Sequence, residues 1–200
     1  MREENTMKFK ELRQDVVYQV KNLKEYSLVD KKLPRIYCDM DGVLCNFEQA
    51  AERAVGMSMS QWAKEPRQKF KTIRDKWKPI MQTKNFWSTL PWAPGGQRLW
   101  SFINKYDPHI LSAYVEQTTD PNCIPGKSKW ARTRLGMFGS KVNLVKRKEK
   151  QNFAKVGGLP TILIDDYAKN ISQFKARGGI GILHTSTSNT ISQLKKLGFK

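Results

Sequence analysis

One stretch constrains this chain more than any other: Arg35-Ile-Tyr-Cys-Asp-Met-Asp-Gly-Val-Leu-Cys-Asn-Phe47. Ile36, Tyr37 and Cys38 form a short apolar run, long enough for one buried strand. Asp39 and Asp41 follow where that strand should end, and Gly42 supplies a turn. In open α/β sheets the crevice beyond the carboxyl ends of the strands is where ligands bind. Two carboxylates placed there can share a hard cation through oxygen ligands. An Asp carboxylate can also attack phosphorus and form an aspartyl-phosphate. A plain strand that ends in an Asp-rich turn has the same local sequence. What separates the two readings is whether the rest of the chain supplies chemical partners.

The chain after Phe47 reads first as helix, then as alternating strand and helix. Ala50, Ala51, Ala54 and Val55 share a face, with a stop at Gly56. Residues 57–92 are rich in Trp, Lys, Phe and Met and show no strand alternation. Trp62, Phe70, Ile73, Trp77, Ile80 and Met81 predict two helices closing on each other. Beyond the turn cluster Pro91-Trp-Ala-Pro-Gly-Gly96, helices are predicted over 97–106, 128–135, 151–156, 168–176 and 187–197. Strands are predicted over 109–113, 142–145, 161–164 and 180–183. Such alternation implies βαβ units, right-handed crossovers and a mostly parallel sheet. The expected class is α/β, a Rossmann-like sheet flanked by helices, with a small helical cap inserted after the first strand. The domain reading is 1–33 as an N-terminal amphipathic helix and linker, 34–47 with 93–200 as the core, and 48–92 as the cap. In the N-terminal segment Phe9, Leu12, Val16, Val20 and Leu23 recur at helical spacing. Such a helix covers either the domain or a second subunit.

Composition narrows the classes. At 200 residues, 39% hydrophobic and 10% aromatic, the chain can bury a core, and global disorder is excluded. No apolar run approaches the ~20 residues of a membrane span. The polar start Met1-Arg-Glu-Glu-Asn-Thr6 has no signal-like apolar region after it. Cys38, Cys45 and Cys123 are odd in number and lack metal spacing, so reduced thiols and a cytoplasmic location are expected. His109 and His184 are too far apart in sequence to suggest a zinc site. The formal net charge of +18 attracts phosphates and polyanions at long range. No recognisable nucleic-acid module accompanies it.

The predicted strands end in residues of related chemistry. The first ends in Asp39 and Asp41, the second in Ser112 and the fourth in Asp165-Asp166. In a parallel sheet these ends share one edge. The carboxylates there suit Mg²⁺, which takes oxygen ligands and keeps several waters. Ser112 can donate to a phosphate oxygen, and Lys127, at the start of the following helix, can pair with it. Taken singly, Ser112 is an ordinary strand-end hydroxyl, Lys127 one of 36 basic residues, and Asp165-Asp166 a helix cap. Their order along the chain is the informative feature.

That order resembles the haloacid-dehalogenase-like (HAD) phosphohydrolases across most of residues 35–184. Asp39-Met-Asp-Gly-Val-Leu44 is similar to the first motif, Ile110-Leu-Ser112 to the second, Lys127 to the third and Ile162-Leu-Ile-Asp-Asp166 to the fourth. Within the superfamily the chain resembles the 5'(3')-deoxyribonucleotidases and the cytosolic, pyrimidine-type 5'-nucleotidases. Asp39 through Phe47, Lys127-Ser-Lys-Trp130 with Leu135-Gly136, Leu163-Ile-Asp-Asp166 and Gly178 through His184 carry that likeness. It departs beside the second motif, where Ala113 and Tyr114 stand in place of a second hydroxyl and a proline.

The resemblance implies a Mg²⁺-dependent phosphatase for nucleoside monophosphates. Asp39 would be the nucleophile and Asp41 the general acid and base. Asp39, Asp41 through its backbone carbonyl, Asp165 and Asp166 would be metal ligands, and Ser112 and Lys127 would hold the phosphate. Phe47 is the expected wall for a nucleobase, with Trp62, Trp77, Phe86 and Trp87 as weaker candidates. Two other readings stay open: a phosphatase for nucleic-acid ends, and a basic nucleic-acid-binding protein on the same scaffold.

Overall fold

The structure, a computed structural model, describes residues 33–200. The N-terminal amphipathic helix expected to carry Phe9 to Leu23, and any subunit contact it would make, lie outside the described residues.

Among the described residues five strands form one sheet: β1 (Ile36–Cys38), β2 (His109–Ala113), β3 (Val142–Val145), β4 (Ile162–Asp165) and β5 (Ile180–Leu183). Their spatial order is β3-β2-β1-β4-β5, and every neighbouring pair is parallel. This is the doubly wound order, in which the direction of winding reverses at β1. The α/β class read from the sequence is the one observed. Side chains alternate between the two faces, as the pleat requires. Ile36, Cys38, Ile110, Ile162, Ile164, Ile180 and Ile182 enter one core cluster, and Tyr37, Leu111 and Leu163 enter the other.

Among the described residues seven α-helices accompany the sheet: α1 (Phe47–Val55), α2 (Met59–Lys64), α3 (Ile73–Gln82), α4 (Gly96–Ile103), α5 (Cys123–Leu135), α6 (Ala168–Ala176) and α7 (Thr187–Lys196). Leu99 and Ile103 of α4, Trp130 and Ala131 of α5 and Leu194 of α7 join the first cluster. Ile171 and Phe174 of α6 cover the other face. Between β1 and α4 the only regular elements are helices. Ser58 with Gln61, and Thr72 with Asp75, form capping boxes that start α2 and α3.

Two segments differ from expectation. Helix α5 starts at Cys123 rather than 128, because Pro125 falls in its first turn, where a missing N–H costs nothing. Gly126 is also required there, since a Cβ would stand 2.4 Å from the Cβ of Trp87. The helix expected over 151–156 is instead a 3₁₀ helix, Arg147–Phe153, followed by a two-stranded ribbon of Lys155–Val156 and Leu159–Pro160. Gly157 and Gly158 both have positive φ, 59° and 82°, which is the geometry of a tight hairpin turn.

Candidate active site

The winding reversal places the carboxyl ends of β1 and β4 side by side. Cys38 pairs with Ile164, and the Asp39 amide donates to the Ile164 carbonyl at 2.9 Å. Asp39 and Asp165 therefore leave the sheet as neighbours. Carboxylate oxygens of Asp39, Asp165 and Asp166 lie within 4.8 Å of one another. Asp39 and Asp165 are buried and Asp166 is exposed at the rim of the cleft. Gly42 holds this arrangement open: its φ is 73°, and a Cβ there would stand 1.9 Å from Asp166 Oδ2.

The cations form the second layer. Lys127 Nζ donates to Asp41 Oδ2 at 2.6 Å, to Ser112 Oγ at 3.1 Å and to the Ala113 carbonyl at 2.6 Å. The sequence thus identified four groups, Asp39, Asp41, Ser112 and Lys127, that the fold gathers at one edge. It missed Lys150. That ammonium sits 2.7 Å from Asp39 Oδ2 and 2.7 Å from Asp165 Oδ2, with 1% of the residue exposed. Lys150 closes the run Lys146 to Lys150, which from sequence is only local positive charge. The missed signal was its position in the segment leading to β4, whose end carries the carboxylates. Asn170 was also missed. Its amide donates to both Asp165 oxygens at 2.9 Å, and Asp165 Oδ1 further accepts from the Tyr167 amide.

These surroundings push the carboxyls apart. Burial would raise Asp39, but the ammonium groups of Lys150 and Lys127, with hydrogen bonds from Lys150 and Ser112, hold it below the ordinary value. Its Oδ1 also accepts from the Met40 amide at 2.7 Å. Asp41 moves the other way: desolvation raises it, Lys127 only partly offsets this, and the Asp39 charge adds to the rise. Burial and the Asp39 charge push Asp165 and Asp166 each up to about 6. Of the two carboxylates that share Lys150, Asp39 keeps its charge more readily, because Lys127 acts on it as well. Oppositely tuned titratable groups in one cleft are what acid–base chemistry at neutral pH requires.

The donor set fits a hard divalent cation. Three carboxylates converge on one point, and Lys150 leaves them with a net excess of negative charge. The Asp41 carboxylate is directed to Lys127, outside this trio.

The site opens into a cleft of about 780 Å³. Phe47, Trp77 and Trp87 line one side of it. Phe47 and Trp87 are stacked, with centroids 5.5 Å apart and planes at 15°. One face of Phe47 is therefore already covered by the protein, and the ring is half-buried. Trp87 is fixed from behind by its indole N–H, which donates to buried Asp120 at 2.6 Å. Its ring also packs against the Lys127 ammonium, 5.3 Å away. Trp62 and Phe86 contact this aromatic group from within the core.

No helix among the described residues is long and apolar enough to cross a membrane. No protein-family model matches the sequence, and no curated relative matches it. Solved structures resemble it over 82% of its length. They include a hydrolase from Streptococcus pneumoniae TIGR4, at 14% identity over 99% of that chain with a TM-score of 0.46. A hydrolase from Pseudomonas syringae is 13% identical over 90% of that chain, with a TM-score of 0.42. A beta-phosphoglucomutase-like protein from Thermotoga maritima is 14% identical over 99% of that chain, with a TM-score of 0.48. At these values the likeness says nothing about what this chain acts on.

Proposed function

We propose that this chain is a Mg²⁺-dependent phosphoric monoester hydrolase of the HAD type, acting on nucleoside monophosphates through an aspartyl-phosphate. The observation that carries this is the convergence of Asp39, Asp165 and Asp166 within 4.8 Å at the winding reversal, with buried Lys150 bridging Asp39 and Asp165 and buried Lys127 paired with the adjacent Asp41. The order of the four motifs along the sequence supports it.

Asp39, held ionised by Lys150 and Lys127, attacks phosphorus through a carboxylate oxygen. The bond from phosphorus to the nucleoside oxygen breaks, and that oxygen takes its proton from Asp41. The raised Asp41 carboxyl suits this role, and its Oδ1 is buried with no hydrogen-bond partner. Asp41, now ionised, removes a proton from the water that attacks the aspartyl-phosphate. The Asp39–phosphorus bond then breaks, releasing inorganic phosphate and restoring both carboxyls. Lys127 and Ser112 face the non-bridging oxygens as charge redistributes. Bound Mg²⁺, held by Asp39, Asp165 and Asp166 with the Asp41 carbonyl, would neutralise charge between nucleophile and phosphate. The aromatic side of the cleft suits a flat base.

Phosphate release from a panel of nucleoside monophosphates and an aryl phosphate, with and without Mg²⁺, tests the assignment. Asp39→Asn should reduce turnover to background while leaving the fold intact. A rate above a few per cent of wild type in that variant would rule out the aspartyl-phosphate.

A further inference from the structure

Three cationic side chains line the cleft among the described residues: Lys127, Lys150 and Arg147. The two lysines are buried and paired with carboxylates. Arg147 is different. It is exposed, and no carboxylate lies within ion-pair distance of its guanidinium among the described residues. Its neighbour Lys146 is already paired, with Glu116 at 3.1 Å. The guanidinium does not trail into solvent either. It lies over the ring of Tyr167, 4.8 Å from the centroid, and Tyr167 also lines the cleft. Held over the ring, the guanidinium keeps N–H groups available to grip a phosphate with two parallel hydrogen bonds.

The position is as informative as the pose. Arg147 and Lys150 belong to one 3₁₀ helix, Arg147–Phe153, three residues apart. In that helix residues i and i+3 eclipse, separated by ~6 Å along the axis. Lys150 contacts the nucleophile Asp39, so Arg147 stands one turn outward on the same side, toward the mouth. Tyr167, its platform, directly follows Asp166. Arg147 is thus tied on both sides to catalytic elements. The chemistry at phosphorus is already served by Lys127 and Lys150.

The geometry points to Arg147, on its Tyr167 platform, as the binding site for a second phosphate of the substrate, one that is retained rather than transferred. The substrate class is then a nucleotide that carries a phosphomonoester and another phosphate one sugar away, either a nucleoside bisphosphate or the phosphorylated end of an oligonucleotide. This rests on the hydrolase assignment above. It gives part of the strong positive charge of the chain a defined place at the cleft mouth.

The test compares thymidine 5'-monophosphate with thymidine 3',5'-bisphosphate and with the 5'-phosphorylated thymidine dinucleotide. Wild-type kcat/KM should favour at least one of the two-phosphate substrates by about 10-fold at low salt, the scale of one charge-assisted contact at an exposed site. Arg147→Gln should bring that ratio close to one. Arg147→Lys should recover only part of it, since an ammonium cannot grip in two places. The arm that shows the preference tells whether a free monoester or a nucleic-acid diester is read. A wild-type ratio near one on both arms, or a ratio unchanged in Arg147→Gln, overturns the inference. Hydrolysis of an aryl phosphate by wild type is scored separately, so that failure of the hydrolase assignment is seen on its own. Calorimetric binding of the three thymidine ligands to Asp39→Asn gives the same ratio without turnover, and melting temperatures confirm that each variant is folded.

Discussion

Lys150→Met removes the ammonium that Asp39 and Asp165 share and keeps the volume of the stem. Nζ is 2.7 Å from a carboxylate oxygen of each, and 1% of the residue is exposed. Taking one partner from a buried ion pair costs ~3–5 kcal/mol, because the remaining charge stays buried and uncompensated. Here two carboxylates lose their cation, with Asp166 as a third charge within 4.8 Å. The site has one escape. Asp165 already sits at about 6, so a proton can take the place of the ammonium. The folded variant then binds more protons than the unfolded chain, and its stability rises as pH falls. The cost should therefore be near ~3–4 kcal/mol at pH 7.5 and smaller at pH 5. In a domain of this size 1 kcal/mol shifts Tm by ~2–4 °C, which gives a fall of ~6–16 °C at pH 7.5 without divalent ions. Added Mg²⁺ should raise the Tm of the variant more than that of wild type, since it supplies the missing positive charge. Turnover should fall ~10²–10³-fold, the loss seen when one preorganised donor is removed. Calorimetric melts in chelator and in Mg²⁺, at both pH values, read all of this. A Tm within ~2 °C of wild type in chelator at pH 7.5 would refute the reasoning, because the carboxylates would then not depend on Lys150.

Asp41→Asn should slow aryl phosphate hydrolysis even though that leaving group needs no proton, because breakdown of the aspartyl-phosphate still needs a base; normal steady-state turnover would contradict the dual role. Phe47→Ala should lower kcat/KM for nucleotides by ~10–100-fold, with less effect on an aryl-free phosphate ester, if its ring meets the base. A large fall in Tm instead would assign Phe47 to packing with Trp87, at the ~3–5 kcal/mol typical of an aromatic-to-Ala core change. Burial pushes Asp165 and Asp166 up to about 6, and metal ligands must be deprotonated, so the Tm gain from Mg²⁺ should be larger at pH 7.5 than at pH 5. Equal gains at the two pH values would remove these carboxylates from the metal site.

Much of the candidate site's edge could be read from sequence because strand ends announce themselves. Asp39, Ser112 and Asp165 each follow an apolar run, and parallel pairing brings such ends together. Lys150 could not be read that way. A lysine that turns inward to two carboxylates has the same local composition as one that faces water, and only the path of the chain from β3 to β4 separates them. The hairpin at Gly157-Gly158 was hidden for a related reason. Paired glycines stop a helix and make a tight turn equally well, and the pairing of Lys155 with Pro160 decides between them. Phe47 was legible as a cleft residue. Trp87 was legible only as a weaker candidate, and its stacking on Phe47 was not legible at all, since the two meet only through tertiary structure.

The parallel pairing of β1 with β4 has a consequence for the order of folding. Ile36 pairs with Ile162, more than half the chain away. The central pair of the sheet is therefore among the most sequence-distant, and its closure entropy must be met before its contacts give any return. β2 and β3, by contrast, close over a much shorter span. A nascent chain can assemble β1 with β2 and β3 while the last strands are still being made. In that state Asp39, Asp41 and Ser112 are in place, but Asp165, Asp166 and the Lys150 bridge to Asp165 are not. The carboxylate edge is completed only when β4 docks, so the proposed phosphatase activity should be among the last properties regained on refolding.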